Sequence, residues 1–166
     1  EHFFNVINGF CNPLQIHLLG NVSPAYKDEL KLFFPKQHQL FFHGIVATHQ
    51  LAEKIADFDI GLALEPDTPL NKNYTISNKF FQYIQLGLPV IATKTTGQEE
   101  AFEKYQPGYL LSQQPTDHEI AALEKWLSSP AELQAARERA IAASTEYNWE
   151  NESKKLLAII KNALEK

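Results

Sequence analysis

Residues 60–93 read IGLALEPDTPLNKNYTISNKFFQYIQLGLPVIAT, and the punctuation of this stretch decides the fold. Its flanks, IGLAL (Ile60 to Leu64) and PVIAT (Pro89 to Thr93), are short continuous apolar runs, the pattern of strands buried on both faces of a parallel sheet. Between them, Glu65 to Asn78 carries two prolines and three asparagines and no hydrophobic period, so it reads as a polar loop. Ser77 or Asn78 is a good N-cap, after which KFFQYIQL sets Phe80, Tyr83, Ile84 and Leu86 at helical spacing. Gly87 stops that helix and Pro89 opens the next strand. In a strand, loop, helix, strand unit the loop lies at the carboxyl end of the strand. The helix start then aims its unpaired N–H groups into the crevice there, an anion site by construction. Gln82 is expected on the first turn, within reach of that crevice.

Working outward, the same alternation continues in both directions. EHFFNVINGFCNP reads as the tail of an amphipathic helix that closes before Pro13. Gln15 to Leu19 is a first strand, and SPAYKDELKLFF a helix capped by Ser23 with Pro24 at its first position. Leu40 to His43 is a second strand, followed by a helix capped by Thr48. Ile60 to Leu64 and Pro89 to Thr93 are the third and fourth strands. GQEEAFEKY is a helix, Gly108 to Leu111 a short fifth strand, and TDHEIAALEKWLSS, PAELQAARERAIAAS and NWENESKKLLAIIKNALEK are closing helices. Strands alternating with helices at this spacing mean an α/β fold with a doubly wound parallel sheet.

The 166 residues, 44% of them hydrophobic, suffice for one domain with a core of its own. A net charge of -5 argues against nucleic acid as a partner. The lone Cys11 rules out an internal disulfide and fits a reducing compartment, so a cytoplasmic location is expected, with peripheral membrane association of a longer protein left open. The chain starts at Glu1 and contains no methionine, and is expected to be a piece of something longer. No His, Cys or carboxylate spacing points to a metal.

At this point the residues resemble a known family. FFHGIVATHQLAEKIADFDIGLAL, SNKFFQYIQLGLPVIAT, TGQEEAF and TEYNWENESKKLLAII are similar to the C-terminal, sugar-nucleotide-binding domain of retaining GT-B glycosyltransferases of the group 1, family 4-like kind. The resemblance implies a Rossmann-like doubly wound parallel sheet, truncated at its N-terminal strand. It also implies that the donor, a nucleoside diphosphate sugar of undetermined base, lies along the carboxyl ends of the strands, with no cofactor. The diphosphate is expected on the backbone of Ile76, Ser77 and Asn78 with Lys79 beside it, and the nucleobase against the turn at Gly44 and Val46. A glutamate that normally meets the ribose is here Gln82, and an earlier one near the phosphates and sugar is Tyr74. Glu65 is an unaligned substitute acid. A glutamine oxygen still accepts a ribose hydroxyl, at roughly 0.5 to 1.5 kcal/mol against about 1.5 to 3 for a carboxylate.

Other residues have competing readings. His43 is either a base-pocket residue or a structural strand end, and His17 is expected in a core or interface. Glu99 and Glu100 either meet the transferred sugar or simply form an acidic first turn. In the family the domain opens with a strand that would lie between the first and third strands seen here. An acceptor domain precedes it, so no catalytic residue is assigned in this chain. The implied reaction is transfer of a hexose to a carbohydrate or lipid-linked acceptor with retention, the piece alone being inactive. Alternatives are a degenerate interaction module and a sugar-nucleotide epimerase. Trp149, Leu156, Leu157, Ile159 and Ile160 are expected to pack mostly on the chain's own sheet, the alternative being an exposed face that drives self-association.

Overall fold

Apolar runs too short for helices become the strands, and the polar residues between them set where each helix starts. The computed structural model describes residues 2–165. Helix α1 (His2–Ile7) buries Phe3, Phe4, Val6 and Ile7 and leads to β1 (Gln15–Leu19). Helix α2 (Pro24–Phe33) begins as Ser23 and Pro24 dictate, the Ser23 hydroxyl accepting from the Tyr26 amide. Then come β2 (Gln39–Gly44), α3 (Thr48–Ala56), β3 (Gly61–Ala63), α4 (Leu70–Asn73), α5 (Asn78–Gln85), β4 (Val90–Thr93), α6 (Thr96–Glu103) and β5 (Gly108–Leu111). Helices α7 (Asp117–Leu127), α8 (Pro130–Ser144) and α9 (Trp149–Leu164) close the order.

All strand pairs are parallel, but they form two sheets. One is β1 with β2; the other runs β3, β4, β5. Among the described residues β1 and β3 are not paired, so each leaves one edge without a strand partner. The two sheets nevertheless share a core. Ile16 and Leu18 from β1, Leu62 from β3, Ile91 from β4 and Leu111 from β5 join one apolar cluster with α1 and α7. His38 ties α1 into this arrangement from a buried position. Its Nδ1 accepts from the Leu14 amide at 3.1 Å and its Nε2 donates to the Ile7 carbonyl at 2.8 Å, which fixes a neutral tautomer. A second cluster, built on Phe80, Ile84, Val90 and Phe102 with Ala140 and Ala143 of α8, holds α5 against the second sheet.

Several expectations need correction. The third and fourth strands lose Ile60, Leu64 and Pro89, because the ladder pairs only Gly61 to Ala63 with Val90 to Ala92. Thr48 does not cap α3 but begins it; Ala47 holds the extended cap conformation and offers no side-chain acceptor. The loop from Glu65 to Asn78 is interrupted by α4, a single turn behind Pro69 and too short to show a period. Gln82 is the fifth residue of α5 and so lies on its second turn. The apolar stripe of α9 does not pack on the sheet. No residue of α9 is buried, and Trp149 and Ile159 are 70% and 66% exposed.

His17 lies on the face of β1 away from the shared core. Its ring stacks on Phe41, its register partner on β2, with centroids 4.6 Å apart, and meets Phe58 at 4.7 Å. Its Nδ1 is 2.8 Å from His43 Nε2, a hydrogen bond that needs at least one ring neutral. Burial, and then the nearby His43 and Lys54, hold its pKa below the usual 6.5. The unfolded chain therefore binds more protons below pH 6.5, and this contribution to stability is present above that pH and lost as pH falls through it. The urea midpoint is expected to be lower at about pH 5.5 than at about pH 8, with the difference shrinking in His17→Gln. An unchanged difference in the variant assigns the acid sensitivity to other groups.

Candidate functional site

The carboxyl ends of β3 and β4 meet the start of α5, and the residues there are polar and held in place. Glu65 follows β3. Its amide donates to the Thr93 hydroxyl at 2.8 Å, and its carbonyl accepts from that hydroxyl at 2.5 Å and from the Gln113 side chain at 3.0 Å. These bonds fix the backbone of Glu65 to the end of β4 and to the segment after β5. Its carboxylate, 12% exposed, bonds Lys79 Nζ at 3.0 Å and Lys72 Nζ at 3.3 Å. Burial pushes the carboxyl pKa up, but hydrogen bonds from Lys79, Ser77 and Lys72 outweigh it and hold the group below the ordinary carboxylate value.

Ser77 caps α5, its buried hydroxyl accepting from the Lys79 amide at 3.3 Å. The Phe80 amide bonds the Ser77 carbonyl at 3.0 Å. Among the described residues the amides of Ile76, Ser77 and Asn78 have no acceptor. Three adjacent unpaired N–H groups at a helix start, with two lysines alongside, suit an anion. The helix start is braced from behind by α6. Asn73 Oδ1 accepts from the Thr96 amide at 3.0 Å, and Gly97 lies so close that an added Cβ would stand 2.9 Å from the Tyr74 carbonyl oxygen.

The other sequence candidates are more scattered. Tyr74 is 64% exposed at the end of α4, contributing its backbone to the Gly97 contact. Gln82 is exposed one turn down α5 from the amides. Gly44 ends β2 with φ +69°, a conformation that favours glycine, and its carbonyl accepts from Gly20 at 2.7 Å. The pairing shifts register beside it, between Leu18 and Leu19, and Val46 follows half-buried. His43 is engaged with His17. Glu99 lines a shallow groove with Phe102, Glu103 and Gly108, apart from Glu65 and its lysines.

Thr93, Gln113 and Lys72 escaped the sequence reading, since they meet Glu65 only through the fold; a threonine closing a strand and a lysine in a proline-rich loop carry no local signal. Gln98, wholly buried, donates to the Thr93 carbonyl at 2.9 Å, and its Oε1 has no partner. A larger cleft of about 610 Å³ lies between α5, α6 and the start of α9, lined by Ile76, Phe81, Ala101, Tyr147 and Trp149. Its lining is largely apolar and its charged residues, Glu150 and Glu152, are both acidic, so it does not suit a phosphate. Among the described residues no three His, Cys, Asp or Glu side chains converge as a metal site, and no helix is long and apolar enough to cross a membrane.

A parallel α/β domain with free amides and lysines at the carboxyl ends of its strands has a Rossmann-like architecture. A family model described as glycosyl transferase-like matches residues 2–158, and the chain belongs to that family. Among solved structures it is similar to Alr3699/HepE of Anabaena in complex with UDP-glucose, with a TM-score of 0.72 and 14% identity over 98% of this chain and 45% of that one. The same protein in complex with UDP gives 0.71 at 16% identity over the same shares. A sucrose-phosphate synthase from Thermosynechococcus elongatus gives 0.64 at 15%, covering 98% of this chain and 48% of that one. At these identities the likeness shows the fold, which is that of the GT-B half expected from the sequence. The chain spans about half the length of these proteins. Among curated proteins none matches it.

Proposed function

We propose that this chain is the donor-binding half of a glycosyltransferase that moves a hexose from a nucleoside diphosphate sugar to a carbohydrate or lipid-linked acceptor with retention. The observation that carries the reading is the trio of unpaired amides at Ile76, Ser77 and Asn78 beside Lys79 and Lys72. Adjacent N–H donors and two cations match the charge of a diphosphate, and the structurally similar protein from Anabaena was solved with UDP-glucose. In this reading the nucleobase lies against the Gly44 to Val46 turn and the ribose toward Gln82, while Glu99, on the first turn of α6, is the proposed contact of the sugar. The acceptor would bind a second domain of a longer protein. One further parallel strand of that protein would occupy the unpaired edges of β1 and β3, and slower hydrogen exchange at those two strands in the longer protein would bear this out. Catalysis in such a cleft is mostly positioning and stabilisation of the leaving diphosphate. The 166-residue chain alone is therefore expected to turn over negligibly, and turnover comparable to an intact enzyme would contradict the reading.

Calorimetric titration with UDP, GDP and their common sugars tests the binding half of the proposal. Binding at millimolar affinity or better is expected for one base, tightening in Gln82→Glu because a carboxylate accepts ribose hydroxyls about 1 kcal/mol better than an amide. The exposed, uncharged Gln82 also favours a second reading, a domain that keeps the fold without donor chemistry. Absence of binding to any nucleotide by either protein would establish that second reading over the first. The exposed stripe of α9 is proposed as the surface through which the chain self-associates when its second domain is absent.

A further inference from the structure

At the start of α5, the place where an anion would bind already has one supplied by the chain. The Glu65 carboxylate is paired with both lysines, and little of it reaches solvent. Each of its oxygens accepts a bond from one of the lysines. The backbone of Glu65 is held in place: the amide and carbonyl are bonded to Thr93 at the end of β4 and to the Gln113 side chain after β5, which keeps the carboxylate within side-chain reach of the site. The lysines are the mobile partners: they are 48% and 56% exposed at the ends of long flexible stems.

We propose that Glu65 is the resident counter-anion of the donor site, holding Lys72 and Lys79 until an incoming diphosphate takes them over, and thereby setting how tightly the diphosphate is held. The proposal rests on the reading of this site as a diphosphate site. The exchange is electrostatic and needs no bond to break. Without ligand, two lysine charges are offset by one carboxylate. With ligand, the lysines turn to the phosphates and the carboxylate, on its anchored backbone, is left nearby as a like charge. That residual repulsion weakens the complex and speeds release of the leaving nucleoside diphosphate. Glu65 is thus a positioning residue for the cations and an opposing charge for the ligand.

The test is calorimetric titration of the wild-type chain and Glu65→Gln with inorganic pyrophosphate and with UDP. The isosteric glutamine keeps the shape and removes the charge. The variant is expected to bind both ligands about tenfold more tightly, the effect of deleting one like charge close to the phosphates in partly solvated surroundings. Equal or weaker binding by Glu65→Gln, with wild-type binding intact, overturns the role given to Glu65 and leaves the donor-site reading standing. No binding of either ligand to either protein overturns both. A second readout needs no variant: the side-chain carboxyl carbon resonance of Glu65 in the wild-type protein is expected to shift on saturation with UDP as its lysines leave. A resonance that stays in place while UDP binds overturns the exchange.

Discussion

Gly108→Ala is expected to leave the chain largely unfolded. Gly108 opens β5 directly opposite Val90 of β4, and an ideal Cβ there would stand 1.9 Å from the Val90 carbonyl oxygen and 2.6 Å from its nitrogen. Those atoms are backbone in the middle of the three-stranded sheet, so nothing flexible can give way. Relief requires β5 to separate from β4, which loses the bond from the Val90 amide to the Pro107 carbonyl. It also withdraws Leu111, 1% exposed, from the core. The cost is on the order of 4 kcal/mol or more, comparable to the whole stability of a marginal domain. Circular dichroism against temperature measures it. Gly9→Ala is the control: nothing lies within 4 Å of its added Cβ, and its midpoint is expected to move little. Equal midpoints for the two variants would show that β5 is not held as described.

Phe80→Ala has the second largest expected effect, and it reaches the site. Phe80 is 0% exposed on the buried face of α5, edge-on to Phe81 with centroids 5.4 Å apart and tilted against Phe102 at 5.6 Å. The buried cluster around it contains Ile84 and Val90 and five alanines, Ala63, Ala92, Ala101, Ala140 and Ala143, and the alanines have no reach to refill the space. A cavity of this kind costs about 3 to 5 kcal/mol in the urea unfolding free energy. Because α5 has only eight residues and little helicity of its own, loosening its anchor also frays the turn that presents the Ile76 to Asn78 amides. Nucleotide affinity is expected to fall with stability, and a Phe80→Leu variant to recover most of both. Full stability in Phe80→Ala would mean that α5 is held elsewhere.

The strand and helix order is legible in the sequence because its signals are local. IGLAL and PVIAT read as buried strands and contain β3 and β4, Ser77 caps the helix that starts beside it, and Gly87 follows the end of that helix. The strands are shorter than their apolar runs because hydrophobicity reports burial, whereas the ladder depends on what lies opposite. The break between β1 and β3 leaves no mark in either strand, since each is apolar whether or not a neighbour is present. The stripe on α9 is amphipathic as its spacing says, yet uncovered: periodicity marks a face, not its partner. At the site, the amide trio can be derived from Ser77 and the helix start alone. The hub cannot. Glu65 meets Lys72, Thr93, Lys79 and Gln113 across separations of 7, 28, 14 and 48 residues, and only the fold brings them together.

The central claim is that a nucleoside diphosphate binds at the start of α5. The most direct measurement is an amide chemical-shift map of the 166-residue chain titrated with UDP and, if UDP is silent, GDP. The largest changes are expected at Ile76, Ser77, Asn78 and Lys79, where the free N–H groups gain phosphate acceptors, with smaller ones at Gly44 to Val46. Changes confined to the cleft at Phe81, Tyr147 and Trp149, or no changes with either nucleotide, would contradict it.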